Sequence, residues 1–237
     1  MSHFALTVRF PGGGPLVGGA ATTPQGFHAS HAELPDGRPY IPATALRGAL
    51  REALEAVLRG TGEHRACAGG DGIDPERTDT GVPVRRCDLG IDGAPCLACR
   101  LFGTRRAAIG ANERAFSGLV LGDAMPVGEP RWTTRPSVAL ARASRSASDK
   151  QLVFQRVPEA DGGAPLTFTA HGRVSDESLS RYLEAATRAT THVGSGRSRG
   201  LARVELELAW REPPGPATHA ASVLATESDI LIQVTLT

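Results

Sequence analysis

YIPATALRGALREALEAVLRG, residues 40–60, is the stretch on which the reading of the fold turns. Leu46, Leu50, Leu54, Val57 and Leu58 fall on one face at helical spacing, and Pro42 helps fix where the helix begins. Thr44 can cap the start, and Gly60 stands where a C-terminal glycine belongs. The spacing predicts a helix from Thr44 to Arg59. Upstream, FALTVRF (4–10) alternates apolar and other side chains and reads as a strand, followed by the breaker-rich loop PGGGPLVGG.

Beyond the helix, periodicity disappears from Gly60 to about Ala115. SGLVLGDA (117–124) then resembles a short buried strand. QLVFQRV (151–157) and LTFTAHGRV (166–174) are further strands, and the turn-like PEADGGAP between them suggests that they pair as a hairpin. A second helix is expected over Asp176–Ala189, with Leu179, Tyr182, Leu183 and Ala186 as its apolar stripe and Ser175 as its cap. VELELAW (204–210) alternates as a closing strand. Strand, helix, strands, helix, strand is the βαββαβ order of ferredoxin-like and RRM-like α+β folds. After the linker REPPGPATHAAS, the segment DILIQVTLT alternates again through Ile230, Ile232, Val234 and Leu236. It reads either as a strand completing the sheet or as the start of a second tandem unit.

The chain has 237 residues, enough for one large domain or one domain with sizeable insertions. With 28 glycines and 17 prolines, long loops around a modest core are expected. No apolar run approaches the roughly 20 residues that span a bilayer, and MSHFALTVRF lacks the pattern of a secretion signal. A cytoplasmic protein without a membrane partner is the expectation. The net charge of +1 hides local concentration. Arg131, Arg135, Arg142, Arg145, Lys150 and Arg156 face a single acid, Asp149, within 131–156, while Arg197, Arg199 and Arg203 cluster with none in 197–203. Such density suits a polyanion.

All four cysteines lie in the aperiodic region: Cys67, Cys87, Cys96 and Cys99, spaced C-x19-C-x8-C-x2-C. The final C-x2-C has the knuckle spacing that lets two thiolates hold one tetrahedral zinc. A metal supplies what a core-poor loop lacks, and four thiolates leave no open position, so the zinc is expected to be structural. His64 is an alternative fourth ligand. GSGRSRGLARV (194–204) lacks the Gly-Lys-Ser/Thr of a phosphate-binding P-loop and has a helix before it and a strand after it, the wrong order for a dinucleotide fingerprint. What remains is a turn whose amides and guanidinium groups suit a phosphodiester backbone; Gly194, Ser195, Gly196, Arg197, Ser198 and Arg199 are its candidates. Arg47 and Arg51, four apart beside the apolar stripe, are candidates for phosphate at the helix start.

Together these motifs resemble the RAMP superfamily of CRISPR-associated proteins, in particular backbone subunits of type III effectors. IPATALRGALR (41–51) is similar to the "IPGSSLKG-x-hR" segment that opens the family's first helix, and GSGRSRGLA (194–202) to its "GGRxSRGxG" loop. RPSVALARASRSASDKQLVFQRVP (135–158) is similar to the segment forming a β-hairpin thumb. The resemblance implies a domain over 1–210 with a zinc-binding insertion at about 60–115 and a thumb at about 131–158, followed by the linker and extra strand of 211–237. It implies binding of a guide crRNA and of complementary target RNA, with neighbouring RAMP subunits and other CRISPR effector subunits as partners. By position, Arg47, Arg51, the 194–199 loop, Arg135, Arg142 and Arg145 would contact guide RNA or duplex.

The chain also departs from the family. Cleaving members carry an aspartate in the loop after the first strand, which promotes Mg2+-dependent cutting of target RNA. Here the sole aspartate of that loop, Asp36, comes late, and Phe27 or His28 falls nearer the expected place. His28 and His31 are the acid–base alternatives. A binding scaffold is therefore the first expectation. A target-cleaving endoribonuclease of the same complex, or a guide-processing one of the same superfamily, is the alternative. Metal analysis of the purified chain should return about one zinc per chain; a clearly lower content would refute the structural site.

Overall fold

The computed structural model describes residues 1–19, 26–60, 95–103, 117–140, 146–197 and 201–211. Strand β1 (Ser2–Phe10) is the organising element. Its alternation turns Phe4, Leu6, Val8 and Phe10 into the core, and leaves His3, Thr7 and Arg9 on the opposite face. It pairs antiparallel with β7 (Leu166–Val174) on one side and β8 (Glu205–Arg211) on the other. β3 (Leu119–Leu121) adds to β7, giving the order β3-β7-β1-β8 with every pair antiparallel. β4 (Met125–Pro126) pairs farther along β7. Helices α1 (Ala43–Gly60) and α3 (Ser180–Ala189) pack against each other and contribute to the apolar core beneath the sheet. Leu46, Leu50, Leu54 and Leu183 are sealed from solvent, each burial stabilising by roughly 2 kcal/mol. β1, α1, β3, β7, α3 and β8 thus follow the βαββαβ order expected of an α+β ferredoxin-like chain.

A second sheet joins β2 (Ala29–Ser30), parallel, to β6 (Ala147–Glu159), which pairs antiparallel with β5 (Arg131–Leu140). This corrects the pairing expected of residues 151–157 with 166–174. The two belong to different sheets, because β7 is claimed by β1 along its whole length and β6 by β5 upstream. β5 is the edge strand, where Pro136 removes no ladder bond the sheet needs. The base of the hairpin is anchored to the loop before α1. Trp132 Nε1 donates to the Gly37 carbonyl at 2.9 Å, and the Arg156 guanidinium stacks 3.8 Å over the Trp132 ring while pairing with Glu33.

The helix starts are set by residues other than those expected. The Asp123 carboxylate accepts from the Ala43 amide at 2.7 Å, eighty positions away in sequence, while Thr44 is exposed. The second helix opens with a 3-10 turn, Glu177–Leu179, whose cap is Asp176, accepting from the Ser178 amide at 2.9 Å. Ser175 instead donates to the Gly118 carbonyl.

Helix α2 (Leu97–Phe102) brings Cys99 against α1 and explains both α1 arginines. Arg51 is buried. Its Nε donates to Glu55 at 2.7 Å, Nη1 to the Gly103 carbonyl at 2.7 Å and Nη2 to Cys99 Sγ at 3.1 Å. Arg47 donates to the Phe102 carbonyl at 2.7 Å, to Ser117 Oγ at 2.9 Å and to the Leu119 carbonyl at 3.4 Å. The phosphate contacts expected of Arg47 and Arg51 are thus corrected: both forks are spent on the protein, bracing α1 against the segment that carries Cys99. The C-terminal segment 212–237 lies outside the described residues. Among those described, no helix is long and apolar enough to cross a membrane.

Arg51→Ala leaves the Glu55 carboxylate, only 3% exposed, without its main partner. Chemical denaturation should show a loss of about 3 kcal/mol, largely recovered when Glu55→Gln and Arg51→Met are combined. A loss within the error of the measurement would show that the pair does not brace the fold.

Candidate nucleic-acid interface

Three loops meet beside the start of α1. The first, 15–19, follows β1; the second, 28–32, carries β2; the third is the glycine-rich 192–197. They are stitched by backbone bonds. Ser195 N–H donates to the Leu16 carbonyl at 3.0 Å, Ala32 N–H to the Val17 carbonyl at 3.0 Å, and His31 N–H to the Arg156 carbonyl at 2.9 Å. Two glycines permit the approach. A Cβ on Gly194 (φ +100°) would sit 2.7 Å from the Leu16 carbonyl oxygen, and one on Gly18 (φ +79°) would sit 2.7 Å from the Pro42 ring. The result is an open cleft of about 410 Å³ whose walls include Leu16, Gly18, His28, Ala45, Gly194 and Ser195.

His28 is the titratable side chain in that wall. It is exposed, its Nδ1 accepts from the Phe154 amide at 3.1 Å, and its ring tilts against Phe154 at 6.3 Å between centroids. With Nδ1 accepting, the proton of the neutral ring sits on Nε2 and is available as a donor. His31 is different. It is fully buried, its Nδ1 accepts from the Val17 amide at 3.1 Å, and burial lowers its pKa to about 4 against the opposing pull of the Pro15 and Tyr40 backbone. The imidazole stacks on Phe168 at 6.0 Å and serves as a neutral core ring. The acid–base role held open for it is corrected, since no substrate reaches a sealed side chain. Asp36 closes a turn: its carboxylate accepts from the Arg38 amide at 3.0 Å and from Arg38 Nε at 2.8 Å. The Arg38 backbone and side-chain bonds hold its pKa below the usual carboxylate value, and it does not line the cleft.

Gly194, Ser195 and Gly196 shape the third loop, and Gly194 and Ser195 face the cleft. Arg197 is already engaged, donating through both Nη atoms to the two oxygens of Glu52 on α1 at 2.8 Å each. That bond lowers the pKa of Glu52 and raises that of Arg197. Both groups are about half exposed, so the pair stabilises little and a competing phosphate can displace the carboxylate. Arg135 on β5 donates through Nη1 to the Gly14 carbonyl at 2.9 Å, placing the hairpin's cationic side beside the loop that leads into the cleft. Ser198, Arg199, Arg142 and Arg145 lie outside the described residues.

Of the four cysteines, Cys96 and Cys99 bracket the first turn of α2, and Cys99 is buried. Burial disfavours charge on Arg51, but the Glu55 hydrogen bond and charge and the Cys99 sulfur outweigh it and raise its pKa. Cys99 Sγ accepts from the Arg51 guanidinium, and a cysteine sulfur is the donor type that ligates zinc. These two residues therefore fit half of a tetrathiolate site. Cys67, Cys87 and His64 lie outside the described residues, and among those described no three potential ligands converge.

Sequence reading found the glycine-rich loop and passed over its counterpart, the 15–19 segment, because PGGGPLVGG registers only as a chain breaker. Ala29, Ser30, Ala45 and Glu52 carried no signal at all.

No curated protein matches the chain. One solved structure that it resembles is described as the type III-B Cmr-beta bound to cognate target RNA, with a TM-score of 0.54, 14% identity and coverage of 89% of this chain and 61% of that one. The chain thus spans about three fifths of the length of that neighbour, and the likeness is one of fold. The family model described as "RAMP superfamily" matches residues 12–205, from the loop after β1 to the first residue of β8, and the chain belongs to that superfamily.

Proposed function

We propose that the chain is a guide-RNA-binding backbone subunit of a type III-like CRISPR ribonucleoprotein, a scaffold for recognising complementary target RNA. The observation that carries the reading is the convergence of the glycine-rich loop, the 15–19 loop and the start of α1 on one cleft, with Arg135 of the β5–β6 hairpin beside its entrance. Small walls of glycine, alanine and serine let a sugar–phosphate chain approach the backbone closely. Family membership and the fold likeness to a chain of a target-RNA-bound assembly support the same reading. In it the hairpin is the thumb, and the partners are crRNA, target RNA, neighbouring RAMP subunits and other effector subunits. Cys67, Cys87, Cys96 and Cys99 hold a structural zinc that fastens the insertion to α1.

A cleaving subunit would need an exposed acid or base at the cleft. His28 is the one earlier candidate that meets this, whereas Asp36 is committed to Arg38 and His31 is buried. The scaffold reading is preferred because His28 stands alone there: its Nδ1 already accepts from the Phe154 amide, and among the described residues no second acid or base lines the cleft.

Ser195→Glu tests it. Ser195 is exposed, and its hydroxyl donates only to the Leu16 carbonyl at 3.2 Å, so the fold tolerates the change. A carboxylate there should weaken single-stranded RNA of any sequence by roughly tenfold in fluorescence anisotropy, the order expected of one charge–phosphate repulsion at a partly solvated surface. Unchanged affinity would remove the cleft from the RNA path, and a sequence-selective loss would replace backbone gripping with base reading.

A further inference from the structure

We propose that the outer face of the main sheet carries a second binding site for single-stranded nucleic acid, at the end of β1 remote from the cleft. The site follows from register. On the face turned away from the core, Arg211 of β8 stands opposite His3 of β1, and His3 opposite Arg173 of β7. One step along, Ala209, Ala5 and His171 stand in line. Directly opposed side chains on a sheet have Cβ atoms about 5 Å apart, so four nitrogen-rich groups share one small patch.

Arg173 and Arg211 flank His3 from the two neighbouring strands, so the row sets two guanidinium groups on one narrow face with no acid opposite either of them. Arg173 and Arg211 are exposed, and among the described residues neither meets a carboxylate. The contact that Arg173 makes is with Met1 Sδ at 3.9 Å. The acids of this face lie at its other end, where Glu207 pairs with Arg9 at 2.9 Å beside Glu205. Among the described residues nothing neutralises the Arg211–His3–Arg173 row. A polyanion would.

The floor of the patch argues for nucleic acid over an acidic peptide. Ala5, small and only 4% exposed, and the exposed Ala209 add no bulk between the imidazoles of His3 and His171 and the two guanidinium groups. Imidazole rings and guanidinium planes are surfaces on which unpaired bases stack, and a peptide carboxylate has no use for them. The patch does not merge with the cleft. His3 precedes Phe10 by seven residues of strand, about 23 Å of extended chain, and the cleft begins beyond that at Leu16. The inference does not rest on the cleft reading.

The test is anisotropy with a labelled mixed-sequence RNA of about 30 nucleotides, long enough to span both places, on the full chain across a salt series. Arg173→Glu combined with Arg211→Glu should weaken binding by at least tenfold and reduce the slope of log K against log salt by about 1.4, the value for two phosphate contacts on a single strand. His3→Ala combined with His171→Ala should weaken it roughly tenfold with little change in slope, as loss of stacking does. Ser195→Glu is the control that separates the two readings: its effect should add to either double variant. Loss on Ser195→Glu alone would overturn this proposal and leave the cleft standing; loss on the sheet variants alone would do the reverse. Competition by polyglutamate as effective as unlabelled RNA would assign the patch to an acidic protein instead.

Discussion

The rest of the structure depends on the burial of a charged pair inside α1. Arg51 and Glu55 are one turn apart and have side chains only 7% and 3% exposed. Withdrawing two charges from water costs several kcal/mol per ion, a cost offset only when their hydrogen-bonding capacity is filled. Here Arg51 fills its own through Glu55, the Gly103 carbonyl and Cys99 Sγ, and Arg47 does the same one turn earlier through Phe102, Ser117 and Leu119. The two arginines thus act as struts between the helix that packs under the sheet and the short helix that begins with the C-x2-C pair. The described segment 95–103 is thereby fastened to α1.

That arrangement leaves the opposite end of α1 open for a different use. Its start is held by Asp123 through the Ala43 amide and by the paired bonds between Ile41 and Ala124. Because a carboxylate already occupies the end of the helix, the helix dipole is partly answered before any ligand arrives. Affinity for an anion at the cleft must therefore come from amides and arginines around the helix start more than from the helix itself. The 15–19 and 192–197 loops suit that need. Their glycines permit backbone approach, Arg197 stands nearby in a solvent-exposed pair, and Arg135 is held beside them by the Gly14 carbonyl.

The sheet and its two covering helices were legible in the sequence because each carries its own period. Phe4, Leu6, Val8 and Phe10 declare a half-buried strand, and Leu46, Leu50 and Leu54 declare a helix, whatever surrounds them. The pairing of β6 was not legible. QLVFQRV and LTFTAHGRV alternate alike across a short turn, and local rules favour joining them, whereas the true partner of β6 is a proline-containing, arginine-rich strand with little alternation. Long-range satisfaction was equally invisible. A helical wheel places Arg47 and Arg51 beside the apolar stripe, which is right, but it cannot see the carbonyls of Phe102 and Gly103 waiting there. His31 failed in the same way: two loop histidines look alike in sequence, and only the stack on Phe168 and the bond from Val17 separate the buried one from the exposed one.

The arginine and histidine corrections have one cause. Sequence reading treats an arginine or histidine near a motif as outward-facing, since such residues are seldom fully buried. In a chain whose basic residues are arginine at every position but one, that inference weakens, because arginine is also the basic side chain best able to brace backbone carbonyls from within. Function must then be read from the arginines that are exposed or held in solvent-exposed pairs, such as Arg197, Arg173 and Arg211, not from their density. By that criterion α1 ceases to be a phosphate-binding helix. Arg47, Arg51 and Glu55 are structural there, and the two surfaces proposed for a polyanion lie elsewhere, at the loops by its start and on the outer face of the sheet whose other side its leucines fill.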